Sequence, residues 1–229
     1  MVLTMKIALF GYGKMGQLVA EIAKAKGHHI VAIQALKNSS GSIESSDVCI
    51  DFSHSSVVLD HLRECLKLKK PLIVGTTGWE HQISEAKKHV EISNGCALYS
   101  PNFSLGIALF IQMISHAAPL INAFSDYEMT GIEYHHREKK DAPSGTAKKI
   151  AEAAGGRLSF TSVRCGEIPG THTVLFDSKV DTITLTHQAR SREGFAYGAI
   201  KAAEWIVGKT GWWTFDEMVR SLYSSRNPL

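Results

Sequence analysis

Residues 6–27 read KIALF, GYGKMG and QLVAEIAKAKG without a break: a short apolar run, a glycine turn and a helical period. Lys6–Phe10 has the size and composition of a buried strand. Gly11-x-Gly13-x-x-Gly16 follows directly. Leu18, Val19, Ile22, Ala23 and Ala25 then recur at helical spacing until Gly27 stops the helix. A strand that passes through glycines into a helix sets the architecture for what comes next. The pattern predicts strands at His29–Ile33, Asp47–Phe52, Pro71–Val74 and Cys96–Tyr99. Helices are predicted at Ser55–Lys69 and Glu80–Ser93, and Lys37–Ser46 reads as a polar loop. Strands separated by helices of about 10–15 residues imply right-handed crossovers and a parallel sheet with helices on both faces.

The rhythm changes near Ser104. Leu105–Ile121 is a long apolar helix, Tyr127–His135 alternates as a half-buried strand does, and Ser144–Ala154 is a helix closed by Gly155-Gly156. Phe160–Arg164, His172–Asp177 and Thr182–His187 read as strands joined by turns and are expected to pair antiparallel. Phe195–Val207 returns to helix. The expected fold class is α/β. Residues 1–103 and 194–229 form a dinucleotide-binding domain with a parallel sheet. Residues 104–193 form a smaller α+β domain.

Composition narrows the function classes. With 44% hydrophobic and 21% charged residues over 229 positions, a disordered or fibrous chain is excluded. A chain of this length buries about 70–75% of its unfolded surface, so it needs no metal or disulfide staple. The net charge of +3 is small and spread out, which argues against a nucleic-acid partner. Cys49, Cys65, Cys96 and Cys165 form no C-x-x-C pair, so neither a zinc site nor a disulfide framework is readable. Scattered cysteines fit a reducing compartment. No apolar run comes near the roughly 20 residues that span a bilayer, and Ile7–Phe10 is too short for a signal peptide. The expectation is a cytoplasmic protein with no membrane partner. Met5 offers an alternative start to Met1.

Gly11–Gly16 is the first stretch that carries chemistry. Glycine there lets backbone N–H groups approach a pyrophosphate at a helix N-terminus, where the dipole favours anions. The carboxylate that ordinarily ends the second strand and binds an adenosine ribose is missing: the strand ends at Gln34, and Lys37 follows. This leans toward NADPH over NADH. Lys37 either attracts a 2′-phosphate or is merely solvated. Gly75-Thr76-Thr77-Gly78 and Ser100-Pro101-Asn102-Phe103 each follow a strand, at the sheet edge where ligands bind in open α/β folds.

Residues 133–146, EYHHREKKDAPSGT, are the most specific stretch. Two histidines and two lysines fall at the end of a predicted strand, and Asp141-Ala142-Pro143 breaks the chain. Ser144-Gly145-Thr146 then opens a helix, whose free N–H groups and hydroxyls make an anion cradle. Lysine and histidine are proton donors and carboxylate partners at neutral pH. Capture of a small acid with proton transfer is one reading, and a charged loop with a Ser cap is the other. His135 and His136 are adjacent and point apart, so no metal site is expected.

This stretch resembles the signature of the 4-hydroxy-tetrahydrodipicolinate reductase (dihydrodipicolinate reductase) family. GYGKMG, DFS at Asp51–Ser53, GTTGW at Gly75–Trp79, SPNFS at Ser100–Ser104, IPGTHTV at Ile168–Val174 and FAYGA at Phe195–Ala199 resemble that family too, in its order. The resemblance covers nearly the whole chain. It implies a Rossmann-like domain built from the N-terminal half and the C-terminal tail. It also implies a substrate domain whose mixed sheet pairs subunits, commonly into homotetramers. The implied reaction is NADPH- or NADH-dependent reduction of a small cyclic dicarboxylate, with loss of water. By motif position, His135 matches the proton donor/acceptor and Lys139 the proton donor. His136, Lys139, Ser144, Gly145 and Thr146 match substrate contacts. Gly11, Tyr12, Gly13, Lys14, Met15, Gly16, Gly75, Thr76, Thr77, Ser100, Pro101, Asn102 and Phe103 match cofactor contacts. The Lys37–Ser46 region is short for the family, which leaves the adenosine-end contacts open.

Other residues read as supporting ones. Arg190 and Arg192 are solvated arginines before they are pocket residues. Trp205, Trp212 and Trp213 are packing residues, and His172 and His187 are satisfied structural histidines. Two rival readings are a cofactor-binding regulator without turnover and a reductase of an amino-acid semialdehyde. The His135–Lys139 pair speaks against the first. The absence of cysteine from the GTT and SPNF loops speaks against the second.

Overall fold

A computed structural model of the chain describes residues 4–36 and 39–224. Lys37, on which one reading of the cofactor preference turned, lies outside the described residues, as does Met1. Along the chain run β1 (Lys6–Phe10), α1 (Lys14–Ala25), β2 (His29–Gln34), β3 (Ser40–Gly41), β4 (Val48–Asp51) and α2 (Val58–Lys67). Then come β5 (Leu72–Val74), α3 (Ile83–Ile92), β6 (Cys96–Tyr99), α4 (Leu105–Asn122), β7 (Glu128–His135) and α5 (Gly145–Ala153). The last elements are β8 (Phe160–Arg164), β9 (Thr171–Asp177), β10 (Thr182–Gln188), α6 (Glu193–Ile206), β11 (Gly211–Thr214) and α7 (Phe215–Ser224). The chain divides into two compact units: Met1–Ser104 with Phe195–Leu229, and Leu105–Gly194.

The first unit holds a seven-stranded sheet in the order β11-β6-β5-β4-β1-β2-β3. Its strands pair parallel, except that β3 runs antiparallel to β2. β4, β5 and β6 are buried at every position, which is why they read as continuous apolar runs rather than alternating ones. Phe10, Leu62, Leu72, Val74 and Trp79 pack in its core. Each such side chain contributes about 1.5–3 kcal/mol by leaving water. Two features depart from the sequence expectation. Within the expected polar loop, Ser40–Gly41 adds a strand and Ile43 is buried in a short 3-10 turn. Residues 211–214 form β11, paired with β6, so Trp212 and Trp213 sit on a strand rather than in a tail. The tryptophans do pack: Trp212 lies 6.3 Å from Trp79, and Trp205 meets Trp213 edge-on at 5.2 Å.

The second unit holds a four-stranded sheet in the order β10-β9-β7-β8. β7–β9 and β9–β10 pair antiparallel, whereas β8 pairs parallel with β7. β8 therefore runs antiparallel to β9, as expected, but does not pair with it: its neighbour is β7. The helix α5 lies between β7 and β8 in sequence, and a strand–helix–strand crossover returns the chain parallel. His172, Val174 and Phe176 of β9 are buried, while Thr171, Thr173 and Leu175 between them are only half-buried. Phe110 and Ile114 of α4 and Ile150 of α5 join Val174 and Phe176 in one core. By length and composition α4 is able to cross a membrane, contrary to the expectation that no run comes near that size. Ile107, Ala108, Phe110, Ile114 and Ala118 are nonetheless buried, and Phe110, Ile114 and Ala118 belong to the core of the second unit.

Candidate active site

In the first unit the glycine turn is built as its spacing suggests. Gly11 has φ +87°, and a Cβ on it would stand 2.4 Å from the Phe52 carbonyl oxygen, so any side chain is excluded there. Its N–H donates to the Gln34 carbonyl at 2.8 Å, which ties the turn to the end of β2. Gly16 would bring a Cβ within 2.2 Å of the Gly11 oxygen. Gly13, by contrast, is exposed, with nothing within 4 Å of where a Cβ would sit. It caps α1 without a side-chain hydrogen bond, and the first turn carries no acidic residue. A helix N-terminus with unclaimed N–H groups and open space beside the backbone fits a pyrophosphate.

The neighbouring loops are joined by a carboxylate that the sequence reading did not place in the site. Asp51, fully buried at the end of β4, accepts from Ser53 N (2.8 Å), Ser53 Oγ (2.6 Å) and Thr76 Oγ1 (2.7 Å) through one oxygen. Its other oxygen lies 2.7 Å from His61 Nδ1, and the His61 ring stacks on Phe10 at 4.1 Å. Thr76 therefore spends its hydroxyl inward and its carbonyl on Trp79 Nε1 at 2.9 Å, which leaves its backbone N–H for a ligand. Thr77 is exposed. Gly75 has no room for a Cβ, which would stand 2.2 Å from the Phe52 ring. In the loop after β6, Ser100 Oγ donates to the Asn102 carbonyl at 2.6 Å, Pro101 is exposed, and Phe103 is buried against Phe215 and Phe52. Phe103 is a wall of the loop, not a contact surface.

In the second unit the sheet register assembles the site. Ser162 of β8, Glu133 of β7, His172 of β9 and His187 of β10 are register partners in turn and form one row across all four strands. Two residues on, and so on the same face, Arg164 stands beside His135. Glu133 Oε1 accepts from Ser144 N (2.9 Å), Ser162 Oγ (2.6 Å) and Arg164 (3.3 Å). Burial alone would raise its pKa. The Ser144 and Ser162 hydrogen bonds and the field of His135 overcome this and hold it at about 2. Its Oε2 lies 3.4 Å from His135 Nδ1 and 3.6 Å from His172 Nε2. Burial pushes His135 below the ordinary histidine value, aided by Lys139 and Arg164 and opposed by Glu133 and Asp141. Burial and His135 push His172 down to about 4. Glu133, His135 and His172 bring donor atoms within 4.8 Å of one another. They are not read as a metal centre, because the Arg164 guanidinium already answers the carboxylate's charge.

Ser144 caps α5, its Oγ accepting from Ala147 N at 3.1 Å and lying 3.3 Å from His172 Nε2. Lys139 Nζ donates to Asp141 Oδ1 at 2.6 Å, and the other Asp141 oxygen accepts from Gly145 N at 3.2 Å. The Lys139 ammonium and the helix N-terminus thus share one carboxylate, in the arrangement that an incoming carboxylate would need. Arg164 fixes this loop by donating to the Lys139 and Asp141 carbonyls at 3.2 and 2.5 Å. His136 is half-exposed, and Thr146 is the second residue of α5.

Glu133, Arg164, His172 and Asp51 were not anticipated as site residues. Their signal is cross-strand register, which no local pattern carries. One expectation needs correction, that for the two strand histidines. His172 and His187 are not satisfied structural histidines: the Nδ1 atoms of both are buried without a hydrogen-bond partner, and His172 meets the His135 ring at 5.2 Å. Arg190 and Arg192 are exposed.

Comparison with known proteins agrees along the whole chain. Residues 5–103 match the model for the N-terminus of dihydrodipicolinate reductase, and residues 106–219 match the model for its C-terminus. The 4-hydroxy-tetrahydrodipicolinate reductase of Christiangramia forsetii is 35% identical over 96% of this chain and 100% of that protein. The enzyme of that name from Staphylococcus carnosus is 36% identical over 93% and 99% respectively. In structure, the dipicolinate-bound dihydrodipicolinate reductase of Paenisporosarcina sp. TG-14 shares the fold at a TM-score of 0.74, with 22% identity, covering 94% of this chain and 100% of that one. With identity of this extent over both units, the chain belongs to the dihydrodipicolinate reductase family.

Proposed function

We propose that this chain reduces 4-hydroxy-tetrahydrodipicolinate to tetrahydrodipicolinate with loss of water, in the route to diaminopimelate and lysine. A nicotinamide cofactor, when bound, supplies the hydride. The backbone of Gly11, Tyr12, Gly13, Lys14, Met15 and Gly16 would hold its pyrophosphate. Gly75, Thr76 and Thr77, with Ser100, Pro101 and Asn102, would line the rest of its site, and Phe103 would support that loop from within. No carboxylate stands at Gln34 to repel a 2′-phosphate, which favours NADPH over NADH.

The second unit handles the substrate and the protons. The N-terminus of α5, with Ser144, Gly145 and Thr146, takes one substrate carboxylate, and Lys139 and His136 flank it. Displacing Asp141 from Lys139 and Gly145 frees both donors for the ligand. Hydride addition to a conjugated imine builds carbanion charge, and His135 and Lys139 are the acids placed to quench it. The assembly expected is a homotetramer. The four free cysteines, three of them buried, fit a reducing cytoplasm.

The observation that carries this reading is the folding of residues 133–146 into one site that pairs an anion-binding helix N-terminus with His135 and Lys139. A coupled assay tests it. The unstable substrate is made in place from pyruvate and aspartate semialdehyde by the preceding synthase, and loss of NADPH or NADH absorbance is followed. Oxidation that depends on the synthase supports the reading, and the ratio of the two rates measures the cofactor preference. No oxidation with either cofactor, from protein shown to bind NADPH, returns the question to a regulator or a semialdehyde reductase.

A further inference from the structure

Glu133 divides its work between two oxygens. Oε1 is saturated with three donors and anchors the start of α5 to β7 and β8. Oε2 is buried and has no hydrogen-bond partner, although the carboxylate is fully removed from solvent. His135 Nδ1, also buried without a partner, faces it at 3.4 Å. Two orphaned buried atoms of complementary type, at this distance, are costly unless a proton passes between them at some stage. Hydrogen bonds of catalytic groups are often long in the ligand-free state and tighten later.

We propose that Glu133 is a positioning residue for proton transfer: its Oε2 holds the Nδ1 proton of His135, which makes Nε2 the nitrogen that exchanges a proton with the substrate. This rests on the reading of His135 as a proton donor/acceptor. In the forward sense the Nε2–H bond of the imidazolium breaks and its proton goes to the carbanion carbon that hydride addition leaves on the substrate, where a C–H bond forms. The electron pair stays on Nε2, and the neutral ring keeps Nδ1–H against Glu133 until solvent reprotonates Nε2. The far edge of the ring is kept clear by Gly170, where a Cβ would stand 3.1 Å from Nε2.

The groups around His135 agree with this assignment. From its own strand Glu133 favours the charged ring. In the following loop Asp141 favours it and Lys139 opposes it. From β8, Arg164 opposes it. From β9, His172 competes for Oε2 at 3.6 Å, but it is held neutral through the physiological range. His187 of β10 stands behind His172. Glu133 is thus the nearest anion that makes the imidazolium accessible inside a buried site.

Nitrogen-resolved NMR of the full chain labelled with ¹⁵N-histidine tests this without relying on turnover. The expected result is an Nδ1–H tautomer for neutral His135. Glu133→Gln keeps an acceptor for Ser144 and Ser162 but removes the anion. It should lower the His135 titration midpoint by about one unit, as loss of an adjacent opposite charge does. The alkaline limb of kcat/KM should move down with it, kcat should fall about tenfold or more, and NADPH affinity should stay within about twofold. An Nε2–H tautomer in the wild type, or an unmoved midpoint and pH profile in Glu133→Gln, overturns the proposal. If that variant does not fold, the wild-type tautomer decides alone. His135→Gln separates the two levels of argument. Full turnover there removes His135 from the chemistry, whereas loss of turnover together with an Nε2–H tautomer removes only the role of Glu133.

Discussion

Lys139 is the residue whose loss should be felt most directly. Its side chain is three-quarters covered, and its ammonium is held 2.6 Å from Asp141. Lys139→Ala should lower kcat by about 10²-fold or more, the usual cost of a positioned acid, and near-normal turnover would remove it from the mechanism. His172 makes a different prediction. Its pKa falls from the ordinary 6.5 to about 4 in the fold because burial disfavours its charged form. Between those values the unfolded chain binds the proton and the folded chain does not, so stability is lost as pH falls from about 6.5 toward 4. Glu133, held at about 2 against an ordinary 4.5, adds a loss that begins only below about 4.5. Thermal melts at pH 7 and pH 5 separate the buried histidines from Glu133, and a variant singles out His172. His172→Gln should shrink the drop in Tm between them, and an unchanged drop would show that His172 does not titrate this way. At this scale the sequence was informative where meaning is local. His135 and Lys139 stand in one short motif, and Gly11–Gly16 in another. Glu133 stood in the same motif, but its partners Ser162 and His172 are 29 and 39 positions away and meet it only through register.

Elements explain why some residues in the family-like motifs are small. Gly198 of α6 lies so close to the end of the SPNF loop that a Cβ would stand 1.7 Å from the Phe103 carbonyl oxygen. Backbone cannot yield as a side-chain tip can, so Gly198→Ala should destabilise by about 2–3 kcal/mol and lower Tm by about 5 °C or more. Gly194 in the same helix has nothing within 4 Å of its Cβ direction. Gly194→Ala should therefore stabilise slightly, by about 0.5–1 kcal/mol, through helix propensity alone. Melting curves of the two variants that moved together would refute the close-approach argument. The end of β2 offers a test of cofactor choice. The Gln34 carbonyl accepts from Gly11 N, so the residue stands at the glycine turn whatever its side chain. Gln34→Asp should raise activity with NADH relative to NADPH, by binding ribose and repelling a 2′-phosphate. An unmoved ratio would mean that position 34 does not reach the ribose. The helices and buried strands of the first unit were legible because period and burial coincide. β11 was not, since GWWT is four residues long and gains strand character only by pairing with β6. β8 was given the wrong neighbour, β9 instead of β7, because a turn-like linker says nothing about which earlier strand it will join.

The whole molecule leaves one surface unexplained by a single chain. α4 and α5 supply the apolar cover for one face of the four-stranded sheet, where Val174 and Phe176 lie. The opposite face carries Ile132 of β7 and Thr173 and Leu175 of β9, all only half-buried, beside Thr184 and Thr186 of β10. Ile132 pairs with Thr173, and Leu175 with Thr184, so these side chains form one contiguous patch. A sheet face of threonines and half-buried aliphatics is suited to a second copy of itself, and a symmetric assembly buries the same patch on each subunit. Ile132→Lys with Leu175→Lys places like charges on every copy of that patch without entering the core. If the sheet mediates assembly, light scattering should show the wild-type chain as a tetramer and the double variant as a smaller species. NADPH affinity should be unchanged, because the glycine turn belongs to the other unit. Equal masses for the two proteins would exclude this face as the interface, and a monomeric wild type would exclude the assembly altogether.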